Sequence, residues 1–205
     1  MRAVLLIDGR SGSGKTELAT ALAAATGAQV LRLDSVYPGW GGLAAGSALV
    51  PGILATHRWQ RWDWALSRYT EWHSLDPALP LIVEGCGALS RQNRALASHG
   101  IWMELDEPTR KARALARDGD SYAPHWDEWA AQELDFIARE NPVSLADDVV
   151  GVGSVGVGSG AAGSGAVGSA AFGQGRSSTG GGVPEISTID FSRWRALLDP
   201  ARVES

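Results

Sequence analysis

Two kinds of apolar pattern alternate along roughly the first 150 residues. Ala3-Val4-Leu5-Leu6-Ile7 is apolar without interruption and closes at Asp8, the pattern of a short strand buried on both faces. Gly9–Gly14 breaks it. Lys15–Ala25 is rich in alanine and leucine and favours helix, with Gly27 as its stop. Gln29–Leu33 predicts a second strand ending at Asp34 and Leu79–Val83 a third ending at Glu84. Ile101–Leu105 gives a fourth and Leu145–Val150 a fifth. Pro108–Asp118 and Trp126–Glu140 predict helices; in the latter, Trp126, Trp129, Ala130, Leu134 and Ile137 form one stripe, expected to be core. Tyr37–Gly46, with its glycines and proline, predicts a loop. His57–His73 carries Trp59, Trp62, Trp64, Tyr69 and Trp72 at mixed spacing and predicts a partly helical segment.

Strands alternating with helices imply a three-layer α/β/α domain over residues 1–150, with a mostly parallel central sheet. Such sheets bind ligands at the carboxyl ends of their strands. Asp8, Asp34, Glu84 and Asp106 fall at predicted strand ends, so these acids are expected along one edge. Residues 151–183 differ in kind: glycine, serine, alanine and valine, with almost no charge and one aromatic, Phe172. So little burial cannot offset the entropy of ordering, and a flexible insertion or linker is expected. Phe191, Trp194, Leu197 and Leu198 return at helical spacing, so residues 184–205 are expected to form a helix that docks back on the core.

The bulk numbers narrow the partners. A net charge of −5 over 205 residues argues against a general nucleic-acid surface. The one cysteine, Cys86, allows neither an intramolecular disulfide nor a cysteine metal site, and it reads as a small buried residue. No apolar run is long enough for a bilayer, and the one at 3–7 is too short for a leader, so a soluble cytoplasmic protein is expected.

The chemistry sits in Gly9-Arg10-Ser11-Gly12-Ser13-Gly14-Lys15-Thr16, which matches the phosphate-binding P-loop (Walker A) pattern G-x-x-x-x-G-K-[ST] at every fixed position. Its glycines let backbone N–H groups wrap phosphate oxygens, and the following helix adds its dipole. Gly9, Arg10, Ser11, Gly12, Ser13, Gly14, Lys15 and Thr16 are thus the expected nucleotide contacts. Lys15 is expected to reach the β- and γ-phosphates, and Thr16 to ligate magnesium. A buried strand before and a strong helix after supply the required context. No N-K-x-D segment marks a GTPase. An ATPase motor would carry an apolar strand ending in Asp-Glu; Asp106-Glu107 comes close, but Glu104 interrupts the strand and Pro108 follows at once. Arg110, Arg113 and Arg117 then share one predicted helix face, which beside a phosphate site would neutralise charge and elsewhere would be a solvated face.

Gly9–Thr16, Leu33-Asp34-Ser35-Val36-Tyr37, Ile82-Val83-Glu84-Gly85 and Leu105-Asp106-Glu107-Pro108-Thr109-Arg110 with Arg113 and Arg117-Asp118 follow in the order seen in uridine kinase-like proteins. Over about residues 1–150 the chain therefore resembles the nucleoside and nucleotide kinase branch of P-loop folds. The resemblance implies that Asp34 accepts the acceptor hydroxyl's proton or helps hold Mg2+, and that Glu84 lies near metal and acceptor. Arg113 and Arg117 correspond to lid arginines that contact ATP. Ser35–Trp40 departs from the acceptor loop of typical uridine kinases, so uridine itself is not implied.

Arg58-Trp59-Gln60-Arg61-Trp62-Asp63-Trp64 lies between Asp34 and Glu84, where the resembling family places its acceptor segments. Flat rings stack on bases, and charged groups bind hydroxyls or phosphate; core packing is the competing role for any single tryptophan. Tyr37, Arg58, Arg61, Trp62 and Asp63 are the expected acceptor contacts. His57, His73, His99 and His125 have no ligand spacing and are assigned no metal. The expected activity is transfer of the γ-phosphoryl group of Mg-ATP to a hydroxyl of a small, nucleoside-like molecule. The alternatives are a P-loop ATPase or a nucleotide-binding regulatory protein without a small-molecule acceptor.

Overall fold

The uninterrupted apolar run near the amino terminus becomes the centre of the molecule. In the computed structural model, which describes residues 2–151 and 192–199, this run is β1 (Val4–Gly9), buried at every position. The other elements, in chain order, are α1 (Lys15–Thr26), β2 (Gln29–Arg32), α2 (Leu43–Thr56), β3 (Arg58–Asp63), β4 (Arg68–Ser74), β5 (Leu81–Glu84), the single-turn α3 (Arg91–Arg94), β6 (His99–Glu104), α4 (Glu107–Asp118), α5 (Trp126–Glu140), the short α6 (Pro142–Leu145), β7 (Asp148–Gly151) and α7 (Ser192–Leu197). Residues 152–191, which hold nearly all of the expected linker, and residues 200–205 lie outside the described residues.

β1 pairs in parallel with β5 on one side and β6 on the other, and β2 and β7 add outside them, also in parallel. The order β2-β5-β1-β6-β7 forms a five-stranded parallel sheet. Alternate β1 side chains feed two cores, because successive Cβ atoms point to opposite faces. Val4 and Leu6 join Leu81, Val83, Tyr37, Val50, Trp129 and Phe136 on the face covered by α2 and α5. Leu5 and Ile7 join Leu18, Leu22, Ile82, Met103, Trp194 and Leu198 on the face covered by α1 and α7. The fold is a three-layer α/β/α sandwich. At its lower rim Asp148 accepts from Arg193 Nη1 and Trp194 Nε1, each at 2.8 Å, and lies 2.7 Å from His99 Nε2, fastening α7 to the sheet.

Four expectations need correction. Residues 57–73 are not partly helical: β3 and β4 form an antiparallel hairpin. A register shift between Gln60 and Trp62 breaks the two-residue period, so the alternation is not visible in the sequence. Cross-strand pairs hold it together, Trp59 stacking on His73 at 4.4 Å and Trp62 meeting Tyr69 edge-on at 5.0 Å. The loop expected over 37–46 gives way to α2 at Leu43, and α2 continues through Pro51. Pro51 removes the N–H that Ser47 O would accept, and Asn93 Nδ2 supplies a donor instead at 3.2 Å. The core stripe of α5 is Trp126, Trp129, Glu133 and Phe136, while Leu134 is 54% exposed. Leu145 belongs to α6, and the last sheet strand starts only at Asp148.

The carboxyl end of β1 is built around Asp8, which is 1% exposed. Its Oδ1 accepts from Gly9 N at 2.7 Å and Gly87 N at 3.0 Å, and its Oδ2 from Leu89 N at 2.8 Å. One side chain therefore ties the start of the phosphate loop to the turn after β5. Asp8→Ala would leave these three N–H groups without their acceptor in the interior. We expect it to destabilise the protein by about 3 kcal/mol, measured by urea unfolding at neutral pH.

Candidate active site

Left-handed backbone shapes the loop between β1 and α1: Gly9, Gly12 and Gly14 have φ of 148°, 80° and 99°. At Gly12 a Cβ would also collide with the backbone carbonyl of Arg110, so the loop can pack this closely on α4 only as glycine. Ser13 N and Lys15 Nζ both donate to Arg10 O, each at 3.1 Å. Burial works against the Lys15 ammonium, yet Cys86, Glu84, Glu133 and Asp8 nearby outweigh it and raise its pKa. Ser13 Oγ is buried with no hydrogen-bond partner. An orphan hydroxyl inside the loop fits a ligand that brings oxygen acceptors, as a phosphate does.

Next to Lys15, Thr16 Oγ1 donates to Glu84 Oε1 at 3.2 Å, and Arg32 Nε lies 3.6 Å from the same oxygen. Burial first, and then Asp34, push the Glu84 carboxyl up to about 7. Asp34, an exposed residue, follows β2 in a 3-10 turn, Leu33–Ser35. The surrounding protein raises its pKa against the opposing charges of Lys15 and Arg117. No group of three or more His, Cys, Asp or Glu side chains is pre-arranged for a metal among the described residues. Thr16, Glu84 and Asp34 instead offer hard oxygen donors, which suit magnesium completed by phosphate oxygens and water.

The three arginines of α4 part company. Arg110 is 2% exposed and donates to Leu105 O at 3.0 Å and Ser11 O at 3.1 Å, bracing the loop from behind. Arg113 lies beside Gly14, with its Nη2 3.9 Å from Glu17. Arg117 is held by Asp118 in a two-pronged pair at 2.7 and 2.8 Å. Asp106, the acid on which an ATPase reading depends, accepts from Thr109 N at 3.0 Å as the cap of α4.

The expected acceptor residues also separate. Tyr37 is fully buried and its hydroxyl donates to Cys86 O at 2.7 Å, so it supports the wall and offers no free hydroxyl. Asp63 Oδ1 closes the hairpin turn, accepting from Ala65 N and Leu66 N at 3.0 and 2.9 Å. Arg61 pairs with Glu71 and Asp63, and Arg58 lies 5.0 Å over the Trp72 ring. Trp62 packs within the hairpin and lies near Gly39.

The structure adds residues outside the expected set of contacts. Trp64 Nε1 donates to Asp34 O at 3.0 Å, and its ring meets Trp40 at 4.8 Å. Trp40 in turn stacks on His125 at 4.2 Å and on Tyr122 at 5.5 Å. Glu133, 3% exposed on α5, accepts from Ser11 N at 2.7 Å and Arg10 Nε at 2.9 Å. The one signal for Glu133 is an acid on an otherwise aromatic stripe; nothing in the sequence brings Trp40 to Asp34.

No family model and no curated protein matches the chain. Among solved structures it is similar to a possible uridine kinase from Bacillus stearothermophilus. The two share 18% identity and a TM-score of 0.50 over 73% of this chain and 88% of that one. A shikimate kinase from Acinetobacter baumannii, in complex with shikimate, aligns at 16% identity over 77% and 86% of the two chains, with a TM-score of 0.44. The first likeness shows the fold, a three-layer α/β/α sandwich around a parallel sheet. No helix among the described residues is long and apolar enough to cross a membrane.

Asp8, pushed up to about 6 by burial, and Glu84, at about 7, take up protons in the folded state at a higher pH than in the unfolded chain. Folding therefore gains stability from both as pH falls, and loses it as pH rises through their folded values. We expect the melting temperature of the metal-free protein to climb as pH is lowered from roughly 8 to 5, as read by differential scanning calorimetry in chelator.

Proposed function

We propose that this protein is an ATP-dependent phosphotransferase that moves the γ-phosphoryl group to a hydroxyl of a small, nucleoside-like molecule. The observation that carries the reading is the grouping of Lys15, Thr16, Glu84 and Asp34 around one loop of P-loop geometry. The loop from Gly9 to Thr16 cradles the phosphates, with Ser13 Oγ gaining the partner it lacks. Lys15 places its charge at the β- and γ-phosphates. Thr16, Glu84 and Asp34 would hold Mg2+, which supplies charge neutralisation for the phosphate oxygens. Arg113, beside Gly14, and Arg117 bring positive charge over the donor side.

The acceptor hydroxyl attacks the γ-phosphorus, its proton passes to Asp34, and the bond to the β-phosphate oxygen breaks to release ADP. Asp34 suits this step because it is an exposed residue whose backbone Trp64 fixes. Trp40, Trp64 and the hairpin form the neighbouring wall, which favours an acceptor with a flat or ring-shaped body.

The test is ADP release from Mg-ATP across a panel of nucleosides, nucleotides, sugars and small alcohols. We expect turnover to depend on one acceptor class. Lys15→Ala should abolish it, and Asp34→Asn should lower kcat by about 10²-fold or more. Acceptor-independent turnover, with Asp34→Asn near the unaltered rate, would instead identify an ATPase. ATP binding without turnover on any acceptor would point to a regulatory protein.

A further inference from the structure

Adjacent residues of α5 hold two different loops. Glu133 takes the phosphate loop at its apex, through Ser11 N and Arg10 Nε, with the Cys86 thiol 3.4 Å away as a further donor. Gln132 takes the segment after Asp34: its Nε2 donates to Trp40 O at 2.7 Å and its Oε1 accepts from Leu43 N at 3.3 Å. The two α-carbons are about 3.8 Å apart on one rigid helix. The backbone of Ser11 is itself held at both of its peptide groups, its N–H by Glu133 and its carbonyl by Arg110, and both side chains are buried. A buried carboxylate is retained only where it is well satisfied. This one is satisfied chiefly by the phosphate loop.

We infer that Glu133 is a positioning residue for phosphoryl transfer, and that Glu133 with Gln132 makes α5 a strut setting residues 40–43, which carry Trp40 of the wall beside Asp34, at a fixed distance from the phosphate loop. The inference rests on the phosphotransferase reading. In-line transfer demands such a fixed separation, since a displacement of about 1 Å is enough to cost about 10²-fold in rate. Glu133 touches no reacting atom; it acts through Arg10 and Ser11. Through the strut, ordering of the phosphate loop by a nucleotide is transmitted to residues 40–43.

The test uses the full chain, with Mg-ADP as the probe. Binding is followed by calorimetry, and amide hydrogen exchange of residues 40–43 is followed with and without ADP. In the unaltered protein ADP slows exchange at 40–43. Glu133→Gln keeps an acceptor for Ser11 N–H but loses the charge that holds Arg10. We expect its ADP affinity to fall about 10-fold with little change in melting temperature, and the ADP-induced protection of 40–43 to disappear. Gln132→Ala alters a half-buried side chain and keeps the test open if Glu133→Gln does not fold; it should lose the same protection. Unchanged ADP affinity in Glu133→Gln, or equal protection of 40–43 in all the proteins, overturns the inference alone. Failure of the unaltered protein to bind ADP overturns it together with the nucleotide reading.

Discussion

A carboxylate carried into the interior at the end of the central strand sets the working edge of this molecule. Asp8 cannot reach water, so it is satisfied by backbone N–H groups from two separate turns. That need fixes the exit of β1 against the turn leaving β5, and so fixes Gly9 relative to Glu84 and Cys86. The phosphate loop inherits its starting point from this arrangement. From there it meets α4 through Gly12 and Arg110, and α5 through Glu133. The loop is flexible in composition, yet α4 and α5 hold it from two sides.

The same edge concentrates ionisable groups of both signs in a small, poorly hydrated volume. Lys15 is the positive centre, with Asp8, Asp34, Glu84 and Glu133 around it and Arg10, Arg32, Arg110 and Arg117 outside them. Burial disfavours charge at several of these acids at once. A polyanionic ligand with its cation would change that balance at every one of them.

How much of this was legible depends on what each residue encodes by itself. The phosphate loop could be read because glycine at 9, 12 and 14 reports a backbone conformation, and Lys15 and Thr16 report chemistry, at fixed spacing. The parallel sheet could be read because runs such as Leu5–Ile7 and Leu81–Val83 have no polar face. The hairpin was hidden by its bulge at Gln60–Trp62, which erases the period that marks a strand. Helix α2 was hidden by Gly46, Pro51 and Gly52, whose local preference opposes helix and is overcome by burial of Leu43, Val50 and Ile53. In the candidate site, Asp34 and Glu84 could be placed from their positions at strand ends. Tyr37 could not, because burial decides whether a hydroxyl meets a ligand or a carbonyl. Glu133 and Trp40 owe their places to the docking of α5, a tertiary fact with no local signature.

The way α7 is seated carries a consequence for biosynthesis. The buried face of α1, at Leu18, Ala19 and Leu22, shares its core with Trp194 and Leu198, more than 170 residues later. While the chain is still on the ribosome, the core under this helix lacks the side chains of Trp194 and Leu198. It stays so until residue 198 has emerged. This core is thus completed only when two segments far apart in the sequence have both been made, and in that interval its apolar surface is open to chaperones.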